Sequence, residues 1–120
     1  MIRFVEKMLA PDISASREAD ARFFRVLGDP TRLAIVRYLM EEPHTVGDLV
    51  AKLGTSQSRV SNHLACLRWC RLVTTERRGR QVIYSIGNPR LAELLAIAAD
   101  LVDENREHLI SCRRIGPNWV

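Results

Sequence analysis

Midway along the chain the hydrophobic pattern changes period, from helical to strand-like. Val46, Leu49, Val50 and Leu53 repeat at i, i+3, i+4 and i+7, the stripe of a short amphipathic helix capped by Thr45. Gly54-Thr55-Ser56 follows as a turn, with Ser56 placed to cap a second helix over residues 57–70 that turns Val60, Leu64 and Leu67 inward. From Leu72 the helical period stops. Residues 72–77 and 81–86 are rich in Val, Ile, Thr and Tyr, and Arg78-Gly79-Arg80 between them predicts a β-hairpin with glycine in the tight position. Helix, glycine-containing turn, helix and two-stranded ribbon in that order spell a winged helix-turn-helix, mainly α with a small β-hairpin.

The flanks read as further helices. Ile2, Val5, Met8 and Leu9 have helical spacing before Pro11. Ser14 or Ser16 can cap the next helix, which carries Ala19, Phe23, Val26 and Leu27 on one stripe and stops at Gly28. Asp29-Pro30 is a restart signal, a capping side chain followed by proline at the first helical position. The helix from there to about residue 42 is expected to bury Leu33, Ile35, Val36, Leu39 and Met40, and Pro43 ends it. Asn88-Pro89 repeats the restart signal ahead of a long helix with Leu91, Leu94, Leu95, Ala98, Leu101 and Val102 on one face. Residues 112–120, with Gly116-Pro117, read as a loose tail. The 120 residues suit one domain, with no repeat or long linker.

A net charge of +4 favours an anionic partner, nucleic acid or an acidic membrane surface. The second helix of the pair presents Gln57, Ser58, Arg59, Ser61, Asn62 and His63, hydrogen-bonding side chains suited to base edges and phosphates. The hairpin tip adds Arg77, Arg78 and Arg80. Taken alone these arginines are equally a solvated surface; motif, charge and element order together favour DNA. His63 is readable as a DNA contact, a structural hydrogen-bonder or a metal ligand. No apolar run approaches the roughly 20 residues that span a bilayer. The first residues carry Glu6 and Asp12 and make a poor signal peptide, so a cytoplasmic location is expected.

Cys66 and Cys70 stand four apart at the end of the second helix, and Cys112 lies near the C-terminus. On a continuous helix, i and i+4 share a face with Cβ atoms roughly 5–6 Å apart, a spacing that lets two thiolates grip one soft ion. Free cysteines are also common small core residues. A Cys66–Cys70 disulfide, and with it a redox switch, would be strained at this spacing. Arg68, Arg71 and Arg113 are expected to favour thiolate over thiol. An enzyme using a cysteine nucleophile is disfavoured, because no histidine is placed as its base and no glycine-rich phosphate cradle occurs.

Leu27-Gly28-Asp29-Pro30-Thr31-Arg32 with Ile35, then Ser61-Asn62-His63-Leu64 with Leu67 and Leu72-Val73, then Arg78-Gly79-Arg80 and Tyr84, together resemble the ArsR/SmtB family. The resemblance covers about residues 23–102. It implies a homodimeric repressor that binds double-stranded operator DNA and releases it when metal binds, with the terminal helices as dimer interface, no membrane and no further protein partner. Two common metal sites of the family are missing. The stretch that carries a Cys-x-Cys motif in one branch is Thr45-Val46-Gly47-Asp48 here, and the last-helix positions used by zinc sensors are Asn88, Arg90, Leu101 and Glu104, of which only Glu104 can ligate. Cys66-Leu67-Arg68-Trp69-Cys70 with a distant third cysteine is similar to the cadmium- and lead-sensing branch. The resemblance therefore implies Cys66, Cys70 and Cys112 as ligands, the third from the other subunit, and Cd(II) or Pb(II) as inducer. Zn(II), Hg(II) and As(III) stay open, as does His108 as a fourth donor.

Overall fold

A computed structural model describes residues 13–114, with side chains from residue 17. The helix expected over residues 2–10 and the Gly116-Pro117 tail lie outside the described residues. Helix α1 (Ile13–Leu27) is already formed at Ile13, so Ser14 and Ser16 lie within its first turn instead of capping it. Helix α2 (Pro30–Glu41) starts where Asp29 accepts the Arg32 backbone N–H at 2.9 Å. It ends before Pro43, which forces Glu42 into extended backbone. Helix α3 (Val46–Leu53) carries a complete capping box: Thr45 accepts from the Asp48 N–H, and Asp48 accepts from the Thr45 N–H. Gly54 closes it in the left-handed region, at φ +67°.

Helix α4 (Gln57–Trp69) is capped by Ser56. Strands β1 (Val73–Arg78) and β2 (Gln81–Ile86) pair antiparallel, Val73 with Ile86 through Arg78 with Gln81. The sequence placed Leu72 in the first strand and Arg78 in the turn. Leu72 instead finishes the helix end, and Arg78 pairs across the ladder. This leaves a two-residue turn with Gly79 first, at φ +63°, where a type II′ turn needs glycine. Helix α5 (Arg90–Ser111) begins after Asn88, whose Oδ1 accepts the Arg90 N–H at 2.9 Å.

The core is a single cluster: Leu27 of α1, Ile35, Val36 and Leu39 of α2, Leu49 of α3, Val60, Leu64 and Leu67 of α4, Leu72, Val73, and Leu91 and Leu95 of α5. Leu33 and Met40 are half-buried at its edge rather than inside it. His44 is a buried polar residue that sequence patterning overlooks. Its backbone pairs with Tyr84 in both directions, at 3.1 and 2.8 Å, which stitches the α2–α3 corner to the wing. A carbonyl only accepts, so His44 Nδ1 donates to the Glu42 oxygen at 2.7 Å.

The apolar stripe of α5 is only half used. Leu91 and Leu95 are buried, whereas Ile97 is 60% exposed and Ile110 77%, with Leu101, Val102 and Leu109 also open to solvent. Phe24 of α1 is exposed as well. A groove of about 650 Å³ runs between α1, α2 and α5 beside them. At Asn105 the helix is bent (φ −124°), and the Asn105 side chain takes the Leu101 carbonyl at 3.2 Å. Among the described residues no helix is long and apolar enough to cross a membrane.

Candidate nucleic-acid interface and metal centre

The outward face of α4 follows from its inward one. With Val60, Leu64 and Leu67 buried, the opposite side presents Ser58, Arg59 and Asn62, all exposed, and Gln57 is exposed beside them at the capped N-terminal turn. Unpaired N–H groups and the positive end of the helix dipole point the same way, which suits phosphate. Ser61 is half-buried and turns toward the wing. A groove of about 610 Å³ lined by Ser61, Ala65, Arg68, Trp69, Arg71 and Tyr84 separates α4 from β2. Trp69 is 88% exposed.

His63 sits apart from that face. It is half-buried, with Nδ1 3.4 Å from Arg32 Nη1 and Nε2 4.0 Å from Asp29 Oδ1. The structure thus brings it to the α1–α2 corner. The wing tip keeps its three arginines exposed, but unequally free. Arg78 pairs with Glu76 at 3.3 Å, and Arg77 Nε donates to the Gly79 carbonyl at 3.4 Å. Arg80 has no such partner among the described residues.

The helix ends one residue sooner than its sequence suggests. Cys70 is the cap (φ −79°, ψ 2°), yet its N–H still reaches the Cys66 carbonyl at 3.1 Å, so the two cysteines keep i, i+4 register. Arg71 then adopts a left-handed φ of 61°. Its N–H bonds the Arg68 carbonyl at 3.0 Å, and the Leu72 N–H bonds the Leu67 carbonyl at 2.9 Å. This is a Schellman ending with arginine where glycine is usual, sealed by contact of the buried Leu67 and Leu72 in the core cluster.

Cys66 is half-buried, Cys70 exposed and Cys112 half-buried at the end of α5, all as free thiols. The arginines beside the cysteines in sequence predict a thiolate at this site. The structure reverses this for Cys70. Partial desolvation, the adjacent Cys66 and a hydrogen bond with Cys66 push its thiol up from the ordinary 9.0, and Arg32 is the cation that pulls it down. Arg68 and Arg71 instead line the groove toward the wing. Cys70 is therefore a thiol at neutral pH, and a metal must displace its proton. Two soft donors on one helix flank fit a thiophilic ion. Among the described residues no group of three ligating side chains converges within one chain.

Helix, turn, helix and wing around one core, with a polar reading face, define a winged helix-turn-helix DNA-binding regulator. Residues 29–75 match the family model described as bacterial regulatory protein, arsR family. The chain belongs to this family, and is a DNA-binding regulator, not an enzyme. It is 42% identical over 98 residues to the probable mercury resistance operon repressor of Streptomyces lividans, covering 82% of this chain and 78% of that one. It is 44% identical over 82 residues to the HTH-type transcriptional regulator CmtR of Mycobacterium tuberculosis, covering 68% of this chain and 70% of that one. The solution structure of CmtR, described as a cadmium metal-sensor, superposes with a TM-score of 0.55 over 63% of this chain and 79% of its own, at 46% identity. The homodimeric winged helix-turn-helix domain of a possible ArsR-family regulator from Mycobacterium bovis superposes with a TM-score of 0.72 at 26% identity, over 82% of this chain and 92% of that one.

Proposed function

We propose that the protein is a cytoplasmic, homodimeric transcriptional repressor that releases operator DNA when a soft metal binds its cysteines. The observation that carries this reading is the pairing of Cys66 with Cys70 on the helix that also presents Gln57, Ser58, Arg59 and Asn62. A ligand held there acts on the element that reads DNA. The exposed apolar stretch of α5 and Phe24 supply a surface for a second copy, and the homodimeric relative supports that use. Two copies present two reading heads to a near-palindromic operator. Arg77, Arg78, Arg80 and Ser61 add backbone contacts, and His63 supports the helix rather than reading bases. The chain acts as one domain with its terminal helices as the dimer interface.

Cys66 and Cys70 supply two thiolates, and Cys112 of the partner subunit the third. Three sulfurs suit Pb(II) or Cd(II), and the cadmium sensor among the relatives supports the same choice. The mercury-operon repressor favours Hg(II) as a second reading, since two thiolates already satisfy that ion. The test is an operator titration with and without Cd(II), Pb(II) or Hg(II). Equal affinity in every case rejects metal-driven release, and the metal with the largest effect at the lowest concentration identifies the inducer.

A further inference from the structure

We propose that Arg32 is the positioning residue that passes the state of the thiol pair to the recognition helix; this rests on the metal-release reading above. Its guanidinium sits where three elements meet. Nε donates to the Val26 carbonyl at 2.7 Å and Nη2 to the Arg25 carbonyl at 3.3 Å, closing the last turn of α1 at the negative end of its dipole. Nη1 reaches His63 Nδ1 on α4 at 3.4 Å. A guanidinium cannot accept, so His63 Nδ1 carries the lone pair and the ring proton is on Nε2, facing Asp29. The Arg32 backbone N–H is itself the one that Asp29 caps. One planar fork thus joins the end of α1, the start of α2 and the middle of α4.

His63, Cys66 and Cys70 stand at i, i+3 and i+7, on one flank of α4. The Arg32 fork therefore meets α4 on the flank that carries both thiols. Metal uptake changes the charge on that flank. Were the two thiols of this flank and a third from the partner subunit each to give a proton to solvent and share one divalent ion, the site would carry a net charge of −1. The guanidinium would be drawn toward that charge. Of its three side-chain hydrogen bonds, the one to His63 is the longest and near the limit of a useful bond. It yields first, while Nε stays on Val26. The metal-free protein therefore has a polar tie between α4 and the α1–α2 corner that the loaded protein lacks. This is the differential contact a ligand needs to shift an equilibrium.

The experiment measures operator affinity by fluorescence anisotropy with and without Cd(II) for wild type, Arg32→Gln and Arg32→Lys. Metal uptake is followed separately by thiolate-to-metal ultraviolet absorption. The expected result is unchanged metal stoichiometry in all three. Wild type loses operator affinity by a factor of about 5–150, the usual range for coupled sites. Arg32→Gln binds operator more weakly before any metal is added, and Cd(II) then changes its affinity by less than about threefold. Lysine keeps the charge but cannot hold two carbonyls and a ring at once, so its metal effect also falls. A wild-type-sized metal effect in Arg32→Gln, or full rescue by lysine, overturns the proposal. If Arg32→Gln fails to fold by circular dichroism, His63→Ala removes the other end of the tie and decides by the same ratio. A wild type that takes up Cd(II) without any change in operator affinity overturns the repressor reading itself, and is recognised from the wild-type trace alone.

Discussion

A Cβ added to Gly87 would lie 2.7 Å from the carbonyl oxygen of Arg71, so the foot of the wing rests on bare backbone at the end of the recognition helix. The Gly87 N–H also donates to the Leu72 carbonyl at 2.9 Å. Gly87→Ala must push these two backbones apart. It is expected to cost about 1–3 kcal/mol, as overpacking does, measured by urea unfolding. Operator affinity should fall with it, because the wing shifts relative to α4. Unchanged stability would show that the approach is looser than the geometry implies.

Arg71 pays a local cost for ending the helix at φ 61°. Arg71→Gly removes a left-handed strain of about 1–2 kcal/mol per residue but adds freedom to the unfolded chain. A net gain of about 0.5–1 kcal/mol is expected in urea unfolding. A loss would mean that the arginine side chain makes up for its backbone.

Serine at position 66 or 70 removes one of two thiolates that share a flank. Each variant should weaken Cd(II) binding by more than the ~10–100-fold typical of losing an outer-shell partner, read from the metal–thiolate absorption. Cys112→Ser should weaken it too, and mixing it with Cys66→Ser should restore part of the band if the sulfur crosses between subunits.

Among the described residues Arg80 has no side-chain partner, whereas Arg78 is shared with Glu76. Arg80→Ala should lower the slope of log affinity against log salt by about 0.9, the value of one phosphate contact. Arg78→Ala should change it less. Equal slopes for both would place the wing tip away from the DNA backbone.

The capping box gives α3 an acid limit. Hydrogen bonds from the Thr45 backbone and hydroxyl hold the Asp48 carboxyl below its ordinary 3.8, with His44 and Lys52 lowering it further. Its contribution is complete above that value and is lost as pH falls through the lower, folded one. Thermal melts of wild type and Asp48→Asn should differ at pH 7, and the difference should shrink as pH falls below the ordinary 3.8 toward the lower, folded value.

Local grammar carried much of this architecture. Asp29-Pro30, Thr45 and Ser56 each act where their side chains reach only a few residues along the chain, so their caps are legible directly, whereas the reciprocal bond from Asp48 to Thr45 is not. The hairpin followed from Gly79, and the thiol pair from helical spacing. What stayed hidden depends on distant partners. Arg32 looks like any surface arginine until the fold brings Arg25, Val26 and His63 around it. The pairing of His44 with Tyr84 spans too much chain to be signalled locally. Gly87 seems an ordinary strand terminator until the end of α4 is laid against it. The direction of the Cys70 shift is hidden too, because neighbours in sequence are not its neighbours in space. Arg68 and Arg71 are adjacent in the chain, whereas the cation that lowers the thiol belongs to another helix.

The bend at Asn105 gives the longest helix an elbow. Its side-chain amide occupies the Leu101 oxygen that an unbroken helix would reserve for the Asn105 backbone. The forearm beyond it, ending at Cys112, leaves the axis that Leu91 and Leu95 bolt to the core, so the last thiol is aimed along a line of its own.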